Sequence, residues 1–496
     1  ARRQLAGFSV PGYFACMKRL FLPAGAAGAV GAAVMILGIA ACSEMRPNLL
    51  EVYPGAARID HRPVIIIPGA FGSRLRNSIT GQVVWGRIAN LLTSRFKLAL
   101  NPAMSQHSDL LDLPIDSTDI TANKDDLEPY AIFDAVAGRA FYKRIVLTLT
   151  QVAGYTFGDI ARPQPGEDCF AFYYDWRRDV AENAQLLGKA IERVRAVHQQ
   201  SGGERQKVDL ITHSLGGLVA RYYVKYGSSD LPKTGAPEPT YAGASDVDTL
   251  VLIGVPNEGS MDTLESIHYG AHIVRPLPPE AIFTMPAAYQ GLPRPRVGPF
   301  IDPNGQPLAI DLYDPANWEK YGWSAFGPAR LKKLREEIVG EFGEAQAEER
   351  YQARIAKMRV YLKAALERAS GIGAALERPG GRPDAVRYFA FGGDCMPTPA
   401  RAMIIPREDG GYDTITRLKN LPRKLDTPEI ERLMSEPGDG SVTRASLLAA
   451  NSGGAATGSD SGIRLDYSLF LCNKHRDLTE NITFQDNLLQ FLLYRH

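Results

Sequence analysis

The chain has 496 residues, 45% hydrophobic and 22% charged, with 47 Gly and 34 Pro. That length holds one large enzyme domain with insertions or two ordinary domains, and the composition is that of a loop-rich globular protein, which excludes the disordered and fibrous classes. Lys plus Arg number 56 against 55 Asp plus Glu, so there is no basic excess to hold nucleic acid and no nucleic-acid partner is expected.

The first segment has the form of a targeting signal. Lys18 and Arg19 precede an apolar run over 20–41, a positive n-region followed by an h-region, and Met17 reads as the start codon. The run ends in Ile39-Ala40-Ala41-Cys42, which resembles a bacterial lipobox. Residues 1–41 are therefore expected to be a lipoprotein signal region, Cys42 the lipidated mature N-terminus and 42–60 a tether. The alternative is a signal anchor, because the 22 residues of the run could just span a bilayer. Either reading exports the catalytic part to a membrane surface, periplasmic or outer-membrane.

Further along, short apolar runs at 64–67, 208–212, 249–255, 386–391 and 465–471 are bounded by turn residues and separated by helical stretches, the pattern of a mostly parallel sheet. They are near-continuously apolar rather than alternating, so they read as central strands buried on both faces, in a doubly wound α/β fold. Helices are predicted over 183–200 and 215–226 from apolar residues at helical spacing. Residues 257–380 depart from this rhythm. Their first half is rich in Pro, Gly and aromatics, whereas 329–369 is strongly charged with apolar residues on a helical period. The segment reads as a largely helical cap inserted between core portions 61–256 and 381–496. The Ser/Gly/Ala-dense tract 451–462 reads as a mobile loop.

Cys169, Cys395 and Cys472 lie beyond Cys42, allow at most one disulfide, and leave its pairing open. The 8 histidines form no HExxH or close cluster, so neither a metal nor another cofactor is called for. Asp302-Pro303-Asn304-Gly305 has a partial likeness to a calcium loop, but its Gly is misplaced and an ordinary turn is the better reading.

The strongest chemical signal is residues 207–217, KVDLITHSLGG, an apolar strand running through Ser214 into a helix. That is the form of a nucleophile elbow, in which small residues permit a sharp turn that lifts the serine clear of the sheet and sets backbone N–H groups beneath the reacting carbonyl. Thr212 replaces the usual first glycine. A serine nucleophile requires a base oriented by a carboxylate, and in this fold acid and histidine follow the serine in that order. Asp439 lies in the Gly-flanked turn Pro437-Gly438-Asp439-Gly440 and His475 lies after the 465–471 strand, which makes Ser214, Asp439 and His475 the expected triad. The oxyanion donors are expected from the N–H of Leu215 and from the Gly-rich loop after the first strand, at Ala70 with Phe71 second. Asp175 and Arg177 read as a structural ion pair with Trp176 packing beneath it, and His213 as a packing residue bonded to backbone rather than a second base. Asn481-Ile482-Thr483 reads as part of the last helix rather than a glycosylation site.

Over about 62–493 the chain resembles the lecithin:cholesterol acyltransferase family, which includes the lysosomal phospholipase A2. The matching pieces are PVIIIPGAFGSRL at 63–75 with Val83-Val84-Trp85, YDWR at 174–177, THSLGG at 212–217, LVLIGVPNEGS at 250–260, FGGDCMPTP at 391–399, GDGSV at 438–442 and HRDLTENITF at 475–484. The resemblance implies the α/β-hydrolase fold and a lipid acyl hydrolase or acyltransferase, and it assigns the triad to Ser214, Asp439 and His475 and the oxyanion hole to Ala70 and Leu215. The expected substrate is a lipid ester, phospholipid or acylglycerol, with a lipid alcohol as acceptor if transfer rather than hydrolysis ends the reaction. The chain departs from the family in the long charged insert and at Thr212. The competing readings are an esterase for soluble or polymeric esters and a non-catalytic surface lipoprotein on the same fold.

Overall fold

The computed structural model describes residues 47–494 apart from 60, 87–110, 134, 137–138, 141, 201–205, 233–234, 236, 273–275, 379–385 and 450–462. Cys42, the rest of the signal region and the 451–462 tract lie outside the described residues. The chain divides after Asn48, and the unit from Leu49 onward holds the sheet and the candidate site.

The aliphatic runs form strands because branched side chains on both faces are buried between helices. Among the described residues the central sheet comprises β1 (Val64–Ile67), β2 (Phe157–Gly158), β3 (Cys169–Ala171), β4 (Val208–His213), β5 (Val247–Ile253), β6 (Arg387–Gly393) and β7 (Tyr467–Leu471). Their order is β7-β6-β5-β4-β1-β3-β2, with every neighbouring pair parallel. All four residues of β1 are buried. The chain moves to one side of β1 for β3 and β2 and to the other for β4 to β7, so a switch in winding falls beside β1, where open α/β sheets place their sites at the strands' carboxyl ends.

Helix α1 (Val180–Gln200) buries Ala184, Leu187, Ala190, Ile191 and Val194 and leaves Leu186 exposed, as its period requires. Helix α2 (Leu215–Tyr226) is buried at every position. Its polar residues are satisfied by the far end of the insert: Arg221 donates to the Leu376 carbonyl at 3.0 Å, and Lys225 to those of Ala375, Leu376 and Arg378 at 3.1, 3.0 and 2.7 Å. Cationic side chains there cap the carboxyl end of a long helix.

Within 257–378 lie α3 (Met261–Tyr269), the short helices Pro279–Phe283 and Pro286–Gln290, and α4 (Pro328–Phe342) and α5 (Glu344–Glu377). The predicted single charged stretch is two helices. Gly343 takes φ 78°, a conformation only glycine adopts cheaply, and breaks the run. Phe283, Tyr289, Phe300, Trp318, Trp323 and Tyr361 of this segment are buried in the same apolar cluster as the sheet. Asp302 forms a turn, its carboxylate accepting from the N–H groups of Asn304 and Gln306 at 2.8 Å each. Asn481 caps α6 (Ile482–Leu493) by accepting from Thr483 N–H at 2.8 Å. The described N-terminal stretch also docks on α6, Tyr53 donating to the Asp486 carboxylate at 2.6 Å.

Asp175 and Arg177 do pair, at 2.9 and 2.7 Å, and a partner that the sequence does not announce completes the site: Asp125 accepts from the same guanidinium at 2.7 and 3.0 Å. Arg177 is fully buried. Arg178 donates to the carbonyls of Asn123 and Thr121 at 2.8 and 2.7 Å, so two consecutive arginines fasten residues 111–133 to the core. Removing a buried cation while leaving its carboxylates costs about 3–5 kcal/mol. Arg177→Met is predicted to lower the urea-unfolding free energy by about that amount, and Asp125→Asn by less, since Arg177 keeps Asp175. A change in Arg177→Met below about 1 kcal/mol would contradict a buried pair.

Candidate active site

Ser214 follows β4 with φ 52° and ψ −126°, a strained conformation for a non-glycine residue. Neighbouring glycines make the turn sterically possible. A Cβ on Gly216 would lie 2.4 Å from the Pro68 carbonyl oxygen, one on Gly217 2.2 Å from a Val255 methyl, and one on Gly69 2.8 Å from Ser214 Cβ. Thr212 fits in place of glycine because it is buried with its hydroxyl donating to the Val251 carbonyl at 2.8 Å.

The acid and histidine are brought together from loops after β6 and β7. The strand Ser435–Gly438 pairs antiparallel with Met396–Pro399, just beyond β6, and delivers Asp439. Asp439 Oδ1 accepts from the N–H groups of Ser441 and Val442 at 2.9 and 2.7 Å, and Oδ2 faces His475 Nδ1 at 2.7 Å. The backbones are joined too, His475 N–H donating to the Asp439 carbonyl at 2.9 Å. Gly254 takes φ 55°, and a Cβ there would lie 2.8 Å from His475 Nδ1. A disulfide between Cys395 and Cys472 ties the loop after β6 to the loop after β7 and leaves Cys169 as the buried free thiol among the described residues. Asp477, a second carboxylate two residues after His475, lies beside Arg476 at 3.9 Å.

Burial works against charge on both members of the pair, but mutual attraction outweighs it. His475 is raised above the usual imidazole value by the Asp439 charge and hydrogen bond and, more weakly, by Asp262. Asp439, despite burial, is held below the usual carboxylate value by His475 and by the Val442 and Ser441 N–H groups. With Nδ1–H donating to the carboxylate, His475 Nε2 is left as the basic atom. A direct Ser214–His475 hydrogen bond is not among those made by the described residues; such bonds are often loose before substrate binds.

Ser214, Asp439 and His475 all line one cavity of about 580 Å³, together with Ala70 and Leu215. Its lining is partly apolar, with Phe71, Phe133, Trp176, Ile282, Met285 and Ala287, and partly polar, with Asp262, Thr263, Ser266, Arg417, Ser441 and Lys474. Trp176 thus does more than pack beneath the ion pair. The polar part of the lining was not foreseen in the sequence. Arg417 is neutralised there by Asp262 and Glu265, and Ser441 donates to Asp262 at 2.5 Å. The loop after β1 closes as a turn, Gly72 N–H donating to the Gly69 carbonyl at 3.0 Å, and leaves Ala70 N–H without a protein acceptor among the described residues, as is Leu215 N–H at the start of α2.

A parallel, doubly wound sheet with a serine elbow after β4 and an Asp–His pair carried by loops after β6 and β7 defines an α/β-hydrolase. Residues 155–283 match the family model of lecithin:cholesterol acyltransferase. The span contains Ser214 and ends before Asp439 and His475. Among solved structures, the chain is similar to the Tle4–Tli4 complex, at 15% identity over 86% of this chain and 97% of that one with a TM-score of 0.48. It is also similar to mature Bacillus licheniformis lipase BlEst2, at 11% identity over 87% and 92% with a TM-score of 0.29. No curated protein matches the chain significantly.

The electrostatics give a sign that can be measured. In an NMR titration the His475 imidazole is expected to take up its proton at a pH above 6.5, the ordinary value, and Asp439→Asn should bring that midpoint down. The stability that His475 contributes should be fully present just below the unfolded-state value near 6.5 and fade as pH rises through the higher folded value, whereas that of Asp439 should be lost as pH falls through its lowered value. A midpoint at or below 6.5 that Asp439→Asn leaves in place would contradict the pairing.

Proposed function

We propose that the protein is a serine-dependent lipid acyl hydrolase or acyltransferase. The observation that carries this reading is a serine on a strained elbow and an aspartate-paired histidine opening into one cavity, part apolar for an acyl chain and part polar for the alcohol side of an ester. The match to the lecithin:cholesterol acyltransferase family supports a lipid ester as substrate.

In this mechanism Ser214 Oγ attacks the ester carbonyl while His475 Nε2 accepts its proton. Asp439 holds the imidazole by Nδ1 and stabilises the imidazolium. The Ala70 and Leu215 N–H groups receive the oxyanion. Collapse of the tetrahedral intermediate expels the alcohol, protonated by His475, and leaves an acyl-Ser214. Water then releases a fatty acid, or a lipid alcohol takes the acyl group, by the same steps in reverse. Residues 257–380 act as the cap: Ile282, Met285 and Ala287 close the apolar side of the cavity, and water exclusion there strengthens every charge interaction during acyl transfer. Export with a lipid anchor at Cys42 would hold the enzyme at its substrate's surface. Cys42→Ser should then move the protein out of the membrane fraction with catalysis intact, and an unmodified Cys42 inside a longer mature chain would refute that anchor.

Ser214→Ala is expected to abolish fluorophosphonate labelling and to lower kcat by about 10⁴-fold or more on phospholipid or triacylglycerol micelles, assayed with and without a sterol acceptor. Asp439→Asn and His475→Ala should each be nearly as damaging, with double variants little worse than single ones, because triad members act as a unit. More than a tenth of the activity remaining in Ser214→Ala would end this reading.

A further inference from the structure

Beside the elbow, in the wall of the same cavity, runs a chain of hydrogen bonds that the two-step mechanism does not use. Gly69 N–H, in the loop that carries Ala70, donates to Tyr142 Oη at 2.9 Å. Tyr142 Oη meets His213 Nδ1 at 3.0 Å, and His213 Nε2 meets the carbonyl oxygen of His475 at 3.2 Å. The two histidine rings lie 4.7 Å apart.

The direction of every proton in this chain follows from chemistry. A carbonyl oxygen can only accept, so His213 Nε2 must carry a hydrogen. Burial and the neighbouring His475 push the His213 imidazole down to about 3, so it holds a single hydrogen and Nδ1 is an acceptor. Burial likewise pushes Tyr142 up, which keeps it a phenol with one hydrogen to give. Gly69 N–H can only donate, so Tyr142 Oη accepts from it and donates to His213 Nδ1. The order is Gly69 N–H to Tyr142 O–H to His213, and His213 Nε2–H to the His475 carbonyl, with every group satisfied.

We propose that Tyr142 and His213 are positioning residues: a two-residue relay that couples the oxyanion loop to the backbone of the histidine base, so that the Ala70 donor and His475 Nε2 are held in register about Ser214. This rests on the reading of Ser214, Ala70 and His475 given above. The loop has another restraint nearby, since Tyr174 donates to the Pro68 carbonyl at 2.8 Å, but among the described residues no hydrogen bond of Tyr174 leads on to His475. The relay supplies that link. Without the Tyr142 hydroxyl, Gly69 N–H loses its acceptor, the turn carrying Ala70 relaxes, and a donor aimed at the oxyanion shifts in a site where such aim matters most.

The test is Tyr142→Phe, with His213→Gln as the second variant because an amide N–H can still reach the His475 carbonyl. Rates are expressed per active site titrated with a fluorophosphonate, so that unfolded protein does not count. Each variant should lower kcat by roughly 10- to 100-fold with KM changed by less than about twofold, and the double variant should be no worse than the poorer single. Affinity for a trifluoromethyl ketone, which adds Ser214 to form an oxyanion, should fall with kcat, while affinity for the matching secondary alcohol, which cannot, should hold. A purely structural role would instead reduce the titratable sites and leave kcat per site unchanged; that result, additive losses, or equal weakening of both ligands would overturn the relay. Turnover by Ser214→Ala would bring down the nucleophile assignment and the relay with it, whereas an inert Ser214→Ala beside a Tyr142→Phe variant of wild-type kcat would bring down the relay alone.

Discussion

The site depends on close approach of backbone at the carboxyl ends of β4, β1 and β5. Ser214 holds a positive φ only because Gly69, Gly216 and Gly217 leave no side chain where the elbow meets Pro68 and Val255, and Gly254 clears the space occupied by the Asp439–His475 pair. Packing at such distances has no slack, so a strained residue persists where surrounding structure over-determines it. The hydroxyl and the Leu215 donor are therefore set at the end of the sheet itself, while the base and the Ala70 donor ride on loops that pack against that elbow.

Around that constraint the polar restraints divide into two groups. On one side Asp439 is saturated by two backbone N–H groups and by His475, and the Cys395–Cys472 bridge joins the loops that carry the pair. On the other side Tyr142 and Tyr174 hold the loop after β1. The aromatic residues of the 257–378 segment share the sheet's apolar cluster, and its longest helix ends on Arg221 and Lys225 of α2, the helix that begins at the elbow. Long helix and nucleophile thus share a supporting element.

The legible parts of the sequence were those whose signal is local. β1 matches its predicted span, 215–226 is α2, and the 208–212 strand ends one residue later, at His213, because the apolar runs and their bounding glycines specify them without outside help. β5 begins at Val247 and stops at Ile253 rather than extending to 255, since Gly254 turns away at positive φ. The short strands β2 and β3, of two and three residues, are too short to carry a period. Asp439 and His475 were legible through chain order and turn chemistry, and they do meet. The polar part of the lining with Asp262, Arg417 and Ser441, the third ion-pair partner Asp125, and the Tyr142–His213 contact were not legible, because each joins residues far apart in the chain, at least one of which lies outside any motif; only the fold makes them neighbours.

The proposed chemistry turns on a covalent acyl-Ser214. Mixing the enzyme with a p-nitrophenyl ester of a long-chain fatty acid, quenching in acid within the first turnovers and sequencing the peptides by mass spectrometry measures it directly. The predicted result is the acyl mass on the peptide containing Ser214, building up with the burst of nitrophenol and absent from Ser214→Ala. An acyl adduct on another residue, or nitrophenol release with no covalent adduct at any time, would contradict it.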